Sequence, residues 1–353
     1  MKLLHSADWH LDAPLTLHAP QNRAYLRQEL LRLPEKVAQA ARQELCDLMV
    51  LSGDLFDGAY TKESFSAVYR ALAEVGIPVC IAPGNHDFYS PTSPYFQEIW
   101  PENVHIFTKN TMESISFPHL DCRVWGAAYT APCCDPLLAD FQAEGSERWA
   151  IGVLHGDPMQ ANSPYCPVSA YQLRRSGLDY LALGHIHKTG TAQSGGGFCG
   201  WPGCPMGKGY DECGEKGVLI VTLSDSVHSR FLPLDTPRFY DLEAAVTGSP
   251  VQTLEKLLPA AQSTDFYRVA LTGEWESVDI GALKRQFSRC PNLSITDKTV
   301  PPVDLWAAAG TDTLEGLYFS LLRQQLDAGY DRNTVQLAAK LSRQLLDGQE
   351  VAL

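Results

Sequence analysis

Short polar motifs follow apolar runs at five places in this 353-residue chain, and this repeated order constrains the fold more than any other feature. The motifs are Asp8-Trp9-His10, Gly53-Asp54, Gly84-Asn85-His86-Asp87, His155-Gly156 and Gly184-His185-Ile186-His187. Because binding loops lie outside the carboxyl ends of strands in open α/β sheets, we expect the motifs to meet in one place. Their carboxylate, amide and imidazole donors suit divalent cations, and two ions about 3.5–4 Å apart can hold both reacting oxygens of a phosphoester. The pattern therefore predicts a two-metal phosphoesterase.

The composition predicts a folded protein with more than one part. A chain of 353 residues exceeds one hydrophobic core, so we expect one large domain with smaller appendages. Its apolar fraction of 45% and charged fraction of 20% lie near globular averages, and no apolar run approaches the roughly 18 residues of a membrane span. Residues 1–5 lead straight into the first motif and leave no room for a signal peptide. We therefore expect a soluble, cytoplasmic protein without a membrane partner.

The ten cysteines are scattered along the chain, which is typical of reduced thiols rather than of a disulfide framework. Cys199, Cys204 and Cys213 lie close together in sequence but lack a Cys-x-x-Cys pair. This spacing favours plain loop cysteines over a zinc knot.

The formal charge of −13 argues against a broad nucleic-acid footprint, because counterion release needs clustered Lys and Arg. Two divalent cations would offset several carboxylates at the site itself. A phosphate backbone bound locally at the metals therefore stays compatible with the charge.

Strands and helices alternate in the first third of the predicted fold, and strands dominate the middle. The predicted strands span residues 2–7, 47–52, 77–82, 104–107, 123–126, 150–154, 180–183 and 218–221. The predicted helices span residues 21–46, with Pro34 as a break or restart, and 64–75. Glycines between residues 195 and 209 predict a loop near the site.

Three domains are predicted. Residues 1–235 carry the motifs, and residues 236–300 have a strand, helix, strand, helix, strand pattern that predicts a small α/β cap domain. Residues 301–353 begin with a Pro301-Pro302 linker and continue as two helices, the first started by a capping box of Asp312 and Glu315 and the second over residues 334–346. The helices either cover their own core or form a hairpin for a partner.

Two pairs of candidate metal ligands are spaced by two residues. On an extended backbone, Asp8 and His10 project to one face, and so do His185 and His187. Each pair alone is more often an ordinary surface or core feature, but the complete set of motifs reverses that expectation.

The other candidates divide ligand and proton-transfer roles. Asp54 follows a strand and Gly53, which permits a sharp turn, so we assign its carboxylate to a bridge between two ions. Asn85 offers an amide oxygen as ligand, while His86 can donate a proton or hydrogen bond to the phosphate or leaving group. His155 ends an apolar run and supplies an imidazole to the second ion.

Several polar residues near the motifs have two interpretations each. Asp87 either orients His86 or caps the following loop, and Asp57 is either a turn acid or a second-rank member of the site. His5 is a candidate for supporting the ligands. The remaining histidines lack a motif context and are expected at the surface or in packing: His18, His105, His119 and His228.

In this order and spacing, the motifs resemble those of the calcineurin-like metallophosphoesterase superfamily over residues 1–235. Residues 4–11 and 53–57 resemble more narrowly the SbcD-type DNA repair nucleases. The resemblance implies a four-layer α/β/β/α sandwich around two mixed sheets. It also implies that one ion is held by Asp8, His10, Asp54 and His187, and the other by Asp54, Asn85, His155 and His185.

The resemblance further implies that His86 is catalytic, that the metal is manganese, and that a metal-bound hydroxide attacks the phosphorus. Some of these nucleases carry a histidine three positions after the bridging aspartate, where this chain has Asp57. They work with an SMC-like ATPase that docks on helices beyond the cap, which correspond to residues 314–346 here.

Three functions follow as hypotheses. The first is a DNA repair exonuclease subunit that cleaves DNA ends. The second is a phosphodiesterase or phosphatase for a small nucleotide or other phosphoester, without an ATPase. The third is a non-catalytic clamp or scaffold subunit. The helical tail could also form a homodimer.

Overall fold

The computed structural model describes residues 1–15, 17, 19–302 and 304–348, so His18 lies outside the described residues. The chain divides into two compact units. The first comprises Met1–Leu242, Ala260–Val269 and Phe287–Ser294, and the second comprises Glu243–Pro259, Ala270–Gln286 and the residues from Ile295 onward. The domain boundaries at residues 235 and 300 stay predictions.

The regular elements follow one another as alternating strands and helices. The strands are β1 (Lys2–Ser6), β2 (Leu48–Leu51), β3 (Val79–Ile81), β4 (Val104–Ile106), β5 (Glu113–Phe117), β6 (Cys122–Gly126), β7 (Trp149–His155), β8 (Tyr180–Gly184), β9 (Gly190–Ser194), β10 (Gly197–Trp201), β11 (Gly217–Leu223), β12 (Val227–Pro233), β13 (Phe239–Ala245), β14 (Phe266–Thr272) and β15 (Asn292–Asp297). The α-helices are α1 (Pro20–Gln43), α2 (Lys62–Glu74), α3 (Pro94–Gln97), α4 (Ala170–Arg175), α5 (Pro250–Leu257), α6 (Ile280–Gln286), α7 (Leu314–Asp327) and α8 (Arg332–Leu346).

Two six-stranded mixed sheets form the first unit. One has the order β12-β11-β1-β2-β3-β4, in which β1 to β4 run parallel and β11 and β12 are antiparallel additions. The other has the order β5-β6-β7-β8-β10-β9, with a parallel centre and antiparallel edges. The predicted pair of mixed sheets is therefore confirmed.

The inner faces of the sheets share one core. Leu3, Val50 and Cys80 from the first sheet are fully buried in one cluster with Val153 and Tyr180 from the second. The outer face of the first sheet packs on α1 and α2, and the outer face of the second packs on α4. This arrangement is the predicted four-layer sandwich, because each sheet buries one face against the other sheet and one against helices.

Two local predictions are wrong. Pro34 lies inside α1, which continues from Pro20 to Gln43; its ring is buried with the apolar face, so packing offsets the lost backbone hydrogen bond. The segment predicted as a glycine-rich loop contains β10, which pairs with β9 around a turn at Gly195, whose φ is 63°. At Gly200 a Cβ would lie 2.7 Å from the Tyr180 hydroxyl, so glycine there permits close packing within a strand.

The carboxyl-terminal elements follow the predicted order with one correction. A third sheet has the order β13-β14-β15, and α5 and α6 alternate with its strands along the chain. Thr313, rather than Asp312, caps α7, because its hydroxyl accepts a hydrogen bond from the Gly316 amide at 2.9 Å. None of the helices in the described part of the chain is both long enough and apolar enough to cross a membrane.

Candidate metal centre

The loops after the parallel strands adopt a left-handed backbone at the candidate ligands. Asp8, His10, Asp54 and His185 have φ values of 56°, 46°, 54° and 99°. The expectation that an extended backbone aligns each ligand pair is therefore wrong. These sparsely populated conformations are stabilised by pairing between loops: the Asp8 amide donates to the Gly53 carbonyl at 3.0 Å, and the His10 amide donates to the Asp54 carbonyl at 2.9 Å.

Asp87 organises the loop that carries Asp54. Its carboxylate accepts hydrogen bonds from the backbone amides of Asp54, Leu55 and Gly84 at 3.2, 2.7 and 2.8 Å. The Tyr95 hydroxyl donates to it at 2.6 Å. Of the two interpretations of Asp87, the hydrogen bonds therefore favour a structural one, in which it joins the loops after β2 and β3.

Glycine is required where these loops meet. A Cβ at Gly84 would lie 2.2 Å from Asp54 Oδ1, and Gly53 has a φ of 89° with the His155 ring 2.6 Å from its virtual Cβ. Any larger residue would separate the two loops. The glycines of both motifs therefore permit the close approach that brings the ligands together.

Three predicted ligands converge on one side of the site. Donor atoms of Asp8, His10 and His187 all lie within 4.8 Å of one another, and His10 Nε2 is 3.2 Å from His187 Nε2. The Asp8 carboxylate also accepts hydrogen bonds from the His185 amide at 3.0 and 3.1 Å, which ties the loop after β8 to the loop after β1.

The other side of the site is built around His155. Its Nε2 lies 2.8 Å from Asn85 Oδ1 and 3.4 Å from Asp54 Oδ2. The same Asp54 oxygen is 3.6 Å from His10 Nε2, so it lies between the two sides. The His185 ring is 5.3 Å from the His155 ring between centroids, but within the described residues its nitrogens join no group of three donors within 4.8 Å.

The Nδ1 atoms of the three central imidazoles contact acceptors outside the site. His10 Nδ1 lies 3.0 Å from Asp57 Oδ1, His187 Nδ1 lies 2.5 Å from Glu212 Oε1, and His155 Nδ1 lies 3.0 Å from the Ser52 carbonyl. These contacts assign the ring hydrogen to Nδ1 and leave each Nε2 as a lone pair directed at the carboxylates. Such a set of facing acceptors fits divalent cations, which would satisfy all of them.

The electrostatics of the site agree with this fit. Burial lowers the pKa of His10 to about 3 and that of His185 to about 4, so both rings are neutral as metal ligands must be. Burial, reinforced by nearby Asp87, raises the pKa of Asp54 to about 8, and burial raises the pKa of Asp8. The charged form of these carboxylates is penalised, and bound cations would offset that penalty.

His86 lies beside the ligand cluster rather than within its buried part. Its side chain is 48% exposed, its Nδ1 is 2.7 Å from Asp57 Oδ1, and its ring packs edge-on against the His10 ring with centroids 4.7 Å apart. The hydrogen bond to Asp57 raises the pKa of His86. Asp57 therefore links a predicted ligand to the predicted catalytic histidine, which supports the second of its two interpretations.

Sequence reasoning missed Glu212, whose buried carboxylate contacts His187. It lies in a glycine-rich segment where a single acid carries no distinguishing pattern. His5, proposed as a supporting residue, is fully buried and contacts Ser52 Oγ at 2.7 Å, next to the carbonyl that accepts from His155. As expected for packing residues, His105 and His119 lie beside the rings of Phe107 and Phe117.

Two mixed sheets with a cluster of acceptors at their strand ends define the class of metal-dependent phosphoester hydrolase domains. The calcineurin-like phosphoesterase family profile matches residues 1–189, which is more than half of the chain. The chain therefore belongs to the calcineurin-like phosphoesterase family.

Known relatives agree with this assignment. An uncharacterized metallophosphoesterase, YhaO of Bacillus subtilis, is 31% identical over 242 residues, which cover 64% of this chain and 58% of the relative. One of the two subunits of the nuclease SbcCD of Staphylococcus epidermidis, SbcD, is 29% identical over 123 residues, covering 33% of this chain and 31% of the relative. The chain therefore spans less than two thirds of the length of these relatives. A dimetal phosphatase structure from Danio rerio is 14% identical with a TM-score of 0.41, over 65% of this chain and 98% of that chain.

Proposed function

We propose that this chain is the nuclease subunit of a DNA repair complex and hydrolyses phosphodiester bonds at DNA ends with two Mn²⁺ ions. The observation that supports the proposal most strongly is the convergence of imidazole nitrogens on the carboxylates of Asp8 and Asp54. When bound, the ion pair would supply the Lewis acidity that phosphoester hydrolysis requires.

The ligand roles are proposed as two overlapping sets. One ion is held by Asp8, His10, Asp54 and His187, and the other by Asp54, Asn85, His155 and His185. The contacts of Asp54 Oδ2 with both His10 and His155 support the shared position of this carboxylate. The adjacency of the His185 and His155 rings supports the inclusion of His185, which reaches the second ion by a small ring movement.

His86 is proposed to hold the proton that the leaving oxygen takes. Asp57 contacts its Nδ1, so Nε2 is the nitrogen that can donate. The raised pKa of His86 keeps this proton bound over a wider pH range. Its partial exposure supports a role on the substrate side of the buried ligands.

The catalytic proposal is tested with His86→Gln and with His119→Gln as a control on an exposed histidine outside the motifs. Mn²⁺-dependent hydrolysis of linear duplex DNA should fall about 10²- to 10⁴-fold in His86→Gln, the usual contribution of a general acid. Mn²⁺ uptake should be retained, because His86 is not a ligand in this proposal. Unchanged hydrolysis in His86→Gln would refute the role, and would also favour the clamp or scaffold hypothesis if the wild type were equally inactive.

A small-substrate phosphodiesterase is the second candidate, and the formal charge of −13 favours it. The similarity to a nuclease subunit spans only 33% of this chain. Parallel assays on end-labelled duplex DNA and on bis(p-nitrophenyl) phosphate separate the two substrates. Preference for the aryl ester, with DNA uncleaved in the presence of any co-purifying ATPase, would replace the first candidate by the second.

An SMC-like ATPase is proposed to bind the helical pair α7–α8. Leu314, Leu317 and Leu321 on α7 are 86%, 59% and 52% exposed, and a groove of about 420 Å³ beside them is lined by Leu345 and Leu346 of α8. This apolar surface supports a helical partner, with a second copy of the chain as the alternative.

Co-purification of the native protein tests the partner. A large ATPase should accompany the wild type and the control Ile99→Glu, whose side chain is 87% exposed on the first unit, but not Leu317→Glu. A homodimer that Leu317→Glu dissociates would favour the second copy instead.

A further inference from the structure

The two sides of the candidate metal centre differ in what holds their imidazoles. On the Asp8 side, the Nδ1 atoms of His10 and His187 both contact carboxylates, those of Asp57 and Glu212. On the Asn85 side, His155 Nδ1 contacts only a neutral backbone carbonyl, that of Ser52. A carboxylate partner makes an imidazole a stronger ligand than a carbonyl partner does, because it stabilises positive charge on the ring.

Glu212 is itself held in place. Its side chain is 9% exposed, its Oε2 accepts a hydrogen bond from the Lys208 amide at 2.7 Å, and its Oε1 lies 3.3 Å from the Lys208 ammonium. The ammonium balances the charge of the buried carboxylate. Glu212 is therefore a fixed anionic acceptor, whereas Asp57 is shared between His10 and His86.

The geometry identifies Glu212 as a partner of His187 rather than a ligand of a separate ion. Ligand atoms about 2.0–2.2 Å from one metal lie roughly 3 Å or more from each other. His187 Nδ1 and Glu212 Oε1 are only 2.5 Å apart, a hydrogen-bond distance, while His187 Nε2 and His10 Nε2 are 3.2 Å apart. Cys204, the third member of this group, directs its thiol to the His187 carbonyl at 3.8 Å.

We propose that Glu212 is a positioning residue that fixes the His187 ring and makes the Asp8 side the tighter of the two metal sites. The Asn85 side, with one amide oxygen and a carbonyl-supported imidazole, is the weaker site that gains and loses its ion more readily. The inference rests on the proposed two-metal centre. Glu212 lies outside residues 1–189, the part that matches the family profile, and so is not one of the family's motif positions.

Calorimetric titration of Mn²⁺ into the metal-free protein tests this proposal. Glu212→Gln keeps the size of the side chain but removes its charge, and Glu215→Gln is the matched control, an exposed glutamate of the same loop that pairs with Arg238. The wild type and Glu215→Gln should show two unequal binding steps. In Glu212→Gln the tighter step should weaken about 10- to 100-fold, as for other outer partners of ligating histidines, and the weaker step should change less than about twofold.

The affected side is assigned in the Asn85→Ala background, where only the Asp8 side keeps its full set of predicted ligands. Adding Glu212→Gln there should weaken the remaining tight step to the same degree. Thermal unfolding of the metal-free variants checks folding, and Glu212→Asp, which keeps the charge, should retain more affinity than Glu212→Gln and replaces it if the latter fails to fold.

Equal effects on both steps, or none on either, would overturn the role of Glu212 while leaving the two-metal centre intact. A wild-type chain that takes up no Mn²⁺ would instead overturn the metal centre proposed above, and this inference with it. The two failures are therefore distinguishable in one set of titrations.

Discussion

The sandwich and the carboxyl-terminal helical pair use similar apolar residues in opposite ways. Leu3, Val50 and Val153 have no exposed surface between the two sheets, whereas Leu314 and Leu317 on α7 are 86% and 59% exposed. A side chain in the sandwich meets an opposing sheet of the same chain, and most of the α7 leucines meet nothing comparable within the described residues. The comparison teaches that the amphipathic pattern predicts the helix but does not identify what covers it.

The helical pair nevertheless has a small core of its own. Phe319 on α7 and Val335 and Ala339 on α8 are at most 3% exposed, and Arg343 lies over the Phe319 ring. The two interpretations of the tail are therefore compatible, because one face of the pair is buried internally and another face is open. The predictions below probe this contrast between buried and open positions.

Asp54→Asn should have the largest effect. Asn tolerates the left-handed backbone at this position, so the fold should survive, but the carboxylate between His10 and His155 is lost. Turnover of a phosphodiester substrate should fall by at least about 10³-fold, because both ions share this ligand in the proposed centre. Steady-state kinetics with Mn²⁺ titration provide the measurement, and activity within tenfold of the wild type would exclude a bridging role.

Phe107→Ala should strongly destabilise the sandwich. The ring is fully buried between the sheets and lies where a Cβ on Gly126 would be 2.2 Å away, so no neighbouring side chain can fill the cavity easily. The free energy of unfolding should fall by about 3–5 kcal/mol, as for other buried Phe→Ala changes. Urea denaturation measures it, and a loss below about 1 kcal/mol would mean that the core relaxes far more than its packing suggests.

His5→Gln should reduce the sensitivity of the sandwich to acid. Burial lowers the pKa of His5 to about 3 in the folded protein, against an ordinary value of 6.5, so only the unfolded chain takes up a proton between these values. Stability is thus full above pH 6.5 and is lost as the pH falls, and removing His5 should flatten this slope by up to about 1.4 kcal/mol per pH unit. Urea unfolding of the metal-free protein from pH 7 to 4.5 measures the slope. The exposed His228→Gln variant is the control, and equal slopes in both variants would contradict the prediction.

Leu317→Ala should have the smallest effect on the isolated chain. Its side chain is 59% exposed, so the free energy of unfolding should change by no more than about 0.5 kcal/mol. The same denaturation experiment as for Phe107→Ala applies. A loss above about 2 kcal/mol would show that this face is covered within the protein itself, and would remove the contrast on which the proposed docking surface depends.

Much of the fold could be predicted from the sequence, because the signals are local. Runs such as β1 and β8 are apolar and end in polar motifs, so their type and their ends were predictable. The strands β5, β9 and β12 were missed, since polar residues or glycines interrupt their pattern. Pro34 was predicted to interrupt α1 because its buried packing is a tertiary property.

The candidate site was predictable in its motif residues and not in its supporting ones. Asp8, His10 and Asp54 were found because their motifs are short and ordered along the chain. Glu212 was missed because its contact with His187 spans 25 residues and leaves no periodic trace. Asp87 was found but its role was left open, because two of the backbone amides that donate to it lie more than thirty residues away.

The sequence by itself determined the order of the strands, the helices between them and the identity of the metal-binding donor types, since each depends on neighbouring residues. Only the tertiary structure decided the left-handed turns at the ligands, the position of Asp54 between two imidazoles and the different partners of His155 and His187. These features depend on contacts between segments distant along the chain. The geometry of such contacts follows from packing of the sheets, which no local pattern encodes.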